Sequence, residues 1–357
     1  MRRFLYVMLA LPILAAATVY FVPALQDRLA RQVIRRGVGS APAHLFSDDA
    51  LRVLLCGTAS PMPSRERARA CVAVFAGGKF YVVDTGPGSW NNLALWRVPA
   101  ERLGAVFLTH FHSDHIGELG EFNMQSWVAG RPGPLPVYGP TGVERVVAGF
   151  GEAYALDNEY RTAHHGAEAL PPEKGRMQAM PIELDREAKP QAVALQAGEL
   201  TVTMFLVDHE PIRPAVGYRF DYRGRSVAIS GDTTRSENLI KAAKGVDVLL
   251  HEAQNNELVA MAREEIDRAG NRQVAKLLGD IPSYHTSPVE AAQVADEAGV
   301  RVLVLYHLTP PPPNAFAKRV FLRGVDAARR GPTVLADDGL LLELPAGTEQ
   351  VRKSRLR

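Results

Sequence analysis

Cysteine is almost missing from this chain: of 357 residues, only Cys56 and Cys71 carry a thiol. Two are too few to fix the redox compartment, and each lies in a strand-like run where a small core residue is the expected role. Excess charge of one sign is missing as well. A formal net charge of +2 lacks the concentrated basic face that phosphate binding normally requires, which argues against a dedicated nucleic-acid binder. No internal repeat is visible, and with 46% hydrophobic and 22% charged residues nothing points to bulk disorder. The length allows one large α/β catalytic domain plus a terminal extension.

One long apolar run is present. Residues 4–25 make 22 uncharged, mostly apolar positions. As a helix they span about 33 Å, enough to cross a bilayer. The expectation is a membrane anchor over residues 1–25, with a cleaved signal segment as the other reading because Ala15, Ala16 and Ala17 could serve a peptidase. A basic stalk and linker follow over 26–48. Arg2 and Arg3 precede the run, whereas Arg28, Arg31, Arg35 and Arg36 follow it, so charge alone does not orient it. Short N-terminal tails usually stay inside, which favours an extracytoplasmic catalytic domain. Secretion after cleavage and a cytoplasmic-facing domain are the alternatives.

From Leu51 the pattern changes to short β-rich runs at 52–56, 72–75, 80–83 and 106–109, then helical patterns at 116–128 and 142–154. Strands follow at 200–206, 215–220 and 226–229, a helix near 238–243, a strand at 246–250, a helix at 288–298 and a strand at 302–306. A terminal helix and strand come after Pro313. Strands followed by helices in each half predict two packed sheets with helices outside, in one domain over 49–346. Residues 156–196 are polar, lack a clear period and read as a loop that caps the site. Residues 347–357 read as a basic tail.

The chemistry concentrates in Thr109-His110-Phe111-His112-Ser113-Asp114-His115, at a strand-to-helix turn. Three imidazoles and a carboxylate in six residues are costly to bury without a ligand. His110 and His112 alternate with Phe111, so both can face one ion, while Asp114 and His115 lie past the bend and can reach a second. Two ions together would form a hydrolytic clamp that acidifies water and takes up charge on attacking and leaving oxygens. Nitrogen and carboxylate donors suit zinc, with manganese or iron as the other candidates.

The His-x-His-x-Asp-His segment resembles that of the metallo-β-lactamase superfamily, over most of residues 51–344. The resemblance implies a four-layer αββα sandwich of α/β class. It implies His110, His112 and His209 on one ion, Asp114, His115 and His307 on the other, and Asp232 between them, with two zinc ions per chain. Asp84, in Val83-Asp84-Thr85-Gly86, would orient a ligand from behind. Asp208-His209-Glu210 and His285-Thr286-Ser287 are similar to the ribonuclease Z and arylsulfatase branch. In that branch His285 would give a proton to the leaving oxygen. Asp114 would accept one from the water that becomes the attacking hydroxide between the ions. His251 and Glu252 would stand behind the site.

Only 22 residues separate His209 from Asp232. The usual bacterial ribonuclease Z carries a tRNA-gripping arm there, and no room for it exists. With the anchor and the small net charge, this makes an arylsulfatase-like hydrolase of small sulfate or phosphate esters the expected activity. The alternative is a ribonuclease Z-like endoribonuclease that processes tRNA 3′ ends. The expected partners are a small anionic ester and the membrane; nucleic acid is disfavoured, and a homodimer stays open. Trp90, Trp127 or Tyr138 could stack on an aryl group, although each fits the core better.

Overall fold

The structure is a computed structural model and describes residues 19–37 and 42–356. The chain divides into two compact units, Met1–Ala41 and Pro42–Arg357. In the first, helix α1 (Pro23–Gly37) carries the basic stalk. Residues 4–18 of the expected anchor lie outside the described residues. No helix among the described residues is long and apolar enough to cross a membrane, so the membrane-anchor expectation finds no support.

The second unit opens with β1 (Ala50–Gly57), β2 (Cys71–Ala76), β3 (Lys79–Val83), α2 (Ser89–Leu95), β4 (Leu103–Phe107), α3 (Ser113–Ile116), α4 (Leu119–Val128), β5 (Leu135–Pro140), α5 (Val143–Ala153) and α6 (Ala155–His165). It continues with β6 (Met177–Ile182), β7 (Gln191–Ala197), β8 (Leu200–Leu206), β9 (Val216–Tyr222), β10 (Arg225–Ile229), α7 (Glu237–Ala242), β11 (Val248–Gln254), α8 (Asn256–Arg268), α9 (Arg272–Asp280) and α10 (Pro288–Glu297). The last elements are β12 (Val302–Thr309), α11 (Ala315–Phe321), α12 (Val325–Ala328), β13 (Thr333–Leu335), β14 (Leu340–Pro345) and β15 (Arg352–Arg355).

These strands form two sheets, ordered β15-β14-β1-β2-β3-β4-β5-β6 and β13-β12-β11-β10-β9-β8-β7. Strands β1, β2, β11 and β12 are buried at every residue because each is covered on both faces, by the opposite sheet and by helices. Val53, Val74, Phe107, Tyr218, Leu250 and Val304 fill the layer between the sheets. Helices α7 and α10 pack outside the second sheet through Leu239, Ala291 and Val294, and α4 and α5 outside the first through Phe122 and Val147. That is a mixed α/β sandwich of two sheets between helices.

Both parallel blocks, β3 to β6 and β10 to β13, release their loops at the same end of the sandwich. Open α/β sheets bind ligands outside the carboxyl ends of their strands. Hydrogen bonds join the two sheets there: Val216 N–H donates to Thr109 O at 3.0 Å, Leu308 N–H to Thr58 O at 2.9 Å, and Tyr218 Oη–H to Leu108 O at 2.7 Å.

Four local expectations need correction. Residues 156–196 are not a loop: α6, β6 and β7 come from them, with β6 and β7 at the outer edges of the two sheets. Edge strands are half-exposed and tolerate proline, and β6 holds Pro181, so neither the period nor the propensity of a strand shows in the sequence. The basic tail pairs as β15 along β14. Cys56 and Cys71 are buried in strands but form a disulfide between neighbouring β1 and β2, with Cα atoms 5.0 Å apart. Helices α8 and α9 were missed, although Asn255 and Asn271 cap them by accepting from Leu258 N–H and Val274 N–H.

Candidate metal centre

Every expected ligand sits where a strand ends. His110 and His112 follow β4, Asp114 and His115 lie in the short α3, His209 follows β8, Asp232 follows β10, and His307 lies near the end of β12. Gly231 makes the approach possible: its φ is +63°, and a Cβ there would lie 2.6 Å from the Val216 carbonyl oxygen. His307 itself has φ +46°, an uncommon backbone for a histidine, and the packing of β12 between β11 and β13 holds it.

The structure brings these residues into two adjoining groups, His110, His112, His209 and Asp232, and Asp114, His115 and His307. In the second, His115 Nε2 lies 3.2 Å from His307 Nε2 and 3.5 Å from Asp114 Oδ2. His307 Nε2 is 3.2 Å from Asp114 Oδ2, and Asp232 Oδ2 is 3.3 Å from His115 Nε2 and 3.5 Å from His307 Nε2. An ion held tetrahedrally by bonds of about 2.0–2.1 Å has ligand-to-ligand edges of roughly 3.3–3.4 Å, so these four atoms fit around one zinc. The first group is wider, with Asp232 Oδ2 at 3.9 Å from His110 Nε2 and 4.0 Å from His209 Nε2. His110 Nε2 meets His112 Nδ1 at 2.9 Å. His209 Nε2 and Asp232 Oδ1 are buried with no hydrogen-bond partner among the described residues, which a protein rarely tolerates unless a ligand is meant to sit there.

Orienting groups hold the rings from behind. Asp84 accepts from Thr109 N–H at 2.9 Å and Thr109 Oγ1–H at 2.7 Å, and its Oδ2 meets His115 Nδ1 at 2.8 Å. The ring of His115 is thereby turned with Nε2 toward the centre. His209 is oriented by a residue the sequence reading overlooked: its Nδ1–H donates to the Tyr284 carbonyl at 2.9 Å. A backbone partner leaves no trace in residue identity.

Charge follows the same plan. Burial alone would raise the Asp232 carboxyl, but His307 and His115 beside it hold it well below the usual carboxylate range. His115 moves the other way, since Asp232, Asp114 and Asp84 outweigh the cost of burying its charge; the same carboxylates that favour a proton on this ring would favour a metal cation in the proton's place. His110 and His209 are pushed down mainly by burial, which keeps their rings neutral and able to ligate.

Of the outer residues, Glu252 joins the site and His251 does not. Glu252 Oε1 accepts from His285 Nδ1 at 2.9 Å and from the Thr233 and Thr286 backbone N–H groups at 3.2 Å. Burial would depress His285, yet the Glu252 carboxylate raises it to about 9. His251, next along β11, instead bonds the Glu252 carbonyl at 2.7 Å and belongs to neither ligand group.

A cavity of about 550 Å³ opens over the centre, lined by His112, Asp114, Asp232 and His285 from below. The expected cap does not form it: no residue of 156–196 lines the cavity, and the wall comes from α9 and the loop after β1. His164 and His165 lie exposed at the end of α6. Trp127 is buried and bonds the Pro171 carbonyl, Tyr138 stacks on Phe107, and Trp90 meets Phe122 edge-on, so none of the three reaches the cavity.

This fold and ligand arrangement define a metallo-hydrolase. Residues 80–308 match the beta-lactamase superfamily domain, and the chain belongs to that superfamily as a hydrolase acting on ester bonds. A ribonuclease Z from Mycobacterium bovis is 37% identical over 264 residues, which cover 73% of this chain and 86% of the relative. The human short-form tRNase Z has a similar fold, with a TM-score of 0.59 at 20% identity over 82% of this chain and 99% of that one. YhfI of Bacillus subtilis does too, at 0.58 and 22% over 83% of this chain and 100% of that one.

The ribonuclease Z relatives overturn the expected arylsulfatase-like activity on small esters. The membrane-anchored, extracytoplasmic placement falls with it, because the relatives are ribonucleases and no described helix crosses a membrane.

Proposed function

We propose that this chain is a zinc-dependent phosphodiesterase of the ribonuclease Z kind, cutting RNA near the 3′ ends of tRNA precursors. The carrying observation is the 37% identity that spans 86% of a ribonuclease Z, far more than a shared fold requires. His110, His112 and His209 would hold one ion and Asp114, His115 and His307 the other, with Asp232 shared. Two zinc ions would supply Lewis acidity that activates water and neutralises the phosphate.

The chain's own groups do the rest. Asp114 lines the cavity and stays ionised: against the cost of burial, His115 and His307 hold its carboxyl below the usual value. It is therefore in the ionised form that a proton acceptor for the attacking water requires, although the same neighbours weaken it as a base. His285, raised to about 9 against the pull of burial, is protonated near neutral pH and can give its proton to the leaving oxygen. Glu252 fixes the orientation of the His285 ring and steadies its charge. The hairpin β9–β10 has no arm, since Arg225 pairs directly with Tyr222 across the turn. The RNA must then be gripped elsewhere on this surface.

The test is incubation of the zinc-loaded protein with a tRNA transcript carrying a 3′ trailer, mapping any cut at nucleotide resolution. A single zinc-dependent cut beside the acceptor stem is expected. An intact transcript under conditions where an aryl sulfate is turned over would end the proposal.

A further inference from the structure

Helix α11 has one side committed to the fold and one that is not. Phe321 is buried, and Lys318 Nζ donates to both oxygens of Asp337, at 2.7 and 2.6 Å. Phe316, Arg319, Val320 and Arg323 follow one another at spacings of three and four, so they form a separate row. Phe316 is 76% exposed, more than any other large apolar side chain among the described residues. The guanidinium groups of Arg319 and Arg323 are exposed and have no hydrogen-bond or ion-pair partner there. Like charges four residues apart on a helix repel, and an anion between them would relieve the cost. The row lines a cavity of about 660 Å³ that reaches α12, with Leu322 and Ala327 among its apolar lining and Asp326 as its only acid.

This row is continuous with the rim of the metal centre. Strand β12 carries His307 and then Thr309, which lines the cavity over the ligand cluster. Phe316 follows Thr309 by seven residues, so the two are at most about 25 Å apart. Pro311, Pro312 and Pro313 lie in that interval and share a cleft with Arg65, which is exposed on the loop after β1 and also unpaired among the described residues. Pro61 and Met62 of the same loop line the cavity over the ligand cluster. Asp337 braces the two elements, since it takes Lys318 from α11 and Arg67 from the loop. Free cationic groups therefore run from the rim through Arg65 to Arg319 and Arg323, against Glu66 and Asp326 as the acids beside them.

We propose that Phe316, Arg319 and Arg323, with Arg65 nearest the centre, grip RNA outside the cleavage site: the arginines hold backbone phosphates and the Phe316 ring stacks on an unpaired base. The inference rests on the phosphodiesterase reading and supplies the hold that the armless β9–β10 hairpin leaves missing. Separated guanidinium groups match a run of phosphates along one strand better than a single anion. The exposed ring offers a face that a bare polyanion would not use and that any base can cover. Such contacts position the RNA and carry no sequence preference.

The experiment is fluorescence anisotropy of the zinc-loaded full chain with a labelled mature tRNA, which carries no trailer to cut, over a series of salt concentrations. Arg319→Glu combined with Arg323→Glu is expected to weaken binding at least about tenfold and to lower the salt slope by about two. Phe316→Ala should weaken binding about fivefold, and Phe316→Trp should keep it at the wild-type value. All three positions are exposed, so the variants should fold, and unchanged zinc content with unchanged hydrolysis of bis(p-nitrophenyl) phosphate checks this. Wild-type affinity and slope in the double variant overturn the surface, and so does a wild-type chain that does not bind the tRNA. Cleavage of a trailer-bearing transcript is read in parallel: cutting with unaltered binding by the double variant sinks the surface and leaves the phosphodiesterase, whereas weakened binding in a chain that does not cut does the reverse.

Discussion

The floor and the wall of this site are built on opposite principles. The floor is a set of side chains at strand ends, buried, oriented from behind and tied to both sheets by hydrogen bonds across the sandwich. The wall is carried mainly by α9, whose hairpin with α8 packs mainly on itself and exposes Met261, Val274 and Leu277. Groups that must sit within a few tenths of an ångström of an ion need rigid support, and strand ends in a double sheet supply it. A surface that shapes itself to a substrate does better on a lightly packed element, since such elements open at low free-energy cost.

If that contrast is right, damage to the floor should be far larger than damage to the wall. Asp232→Ala should lose bound zinc, measured by atomic absorption, and reduce turnover by about 10³-fold, at the upper end for removing one charge-stabilising group. Full zinc content with wild-type rates would break the contrast outright. His285→Ala should keep its zinc and lose about 10²–10³-fold in kcat, the range for one positioned proton donor. Loss of zinc in that variant would make His285 a ligand, which its place beside Asp232 and His307 makes a fair question.

Stability should divide in the same way. Leu250→Ala, in the layer between the sheets, is expected to cost about 2–5 kcal/mol in urea unfolding. Leu277→Ala, on the wall, should stay within about 0.5 kcal/mol of wild type. Comparable losses would mean that the hairpin is part of the core. Asp84→Asn should then sharpen the picture at the floor by weakening zinc affinity about 10–100-fold, as loss of an outer partner does, with the fold intact.

The smallest effect lies beside the wall, where Arg67 and Lys318 grip Asp337 under the loop after β1. Burial alone would raise the Asp337 carboxyl, but Lys318 and Arg67 hold it below its usual value. Its contribution is therefore present above about pH 4, the unfolded carboxylate range, and disappears as pH falls through the lower folded value. Thermal melts of Asp337→Asn and wild type should converge on acidification; a gap that widens at low pH would reverse the sign and refute it.

Much of the floor was legible because ligands announce themselves by type. His110, His112, Asp114 and His115 crowd one turn, whereas His209, Asp232 and His307 each end an apolar run and are joined to them only by the family resemblance. Glu252 and His285 could be singled out, but their contact could not, since 33 residues and two helices separate them. His251 was indistinguishable from Glu252 in sequence. The alternation of β11 decides that one reaches His285 and the other does not.

The ester class was misjudged for a related reason. Absence of an arm and a small net charge argue against RNA in the sequence, but both describe how a substrate is held far from the reacting atoms. The cysteines carry the same lesson: Cys56 and Cys71 read as two small core residues until strand pairing placed their Cα atoms 5.0 Å apart.

The sequence by itself determined the candidate donors crowded at residues 110–115, the order of most strands and the double-sheet architecture, because donor chemistry and hydrophobic period are local properties of the chain. Only the tertiary structure decided which element walls the cavity. Residues 156–196 went to the sheet edges and α9 came over the site, since that choice depends on which surfaces are left uncovered once the two sheets have packed.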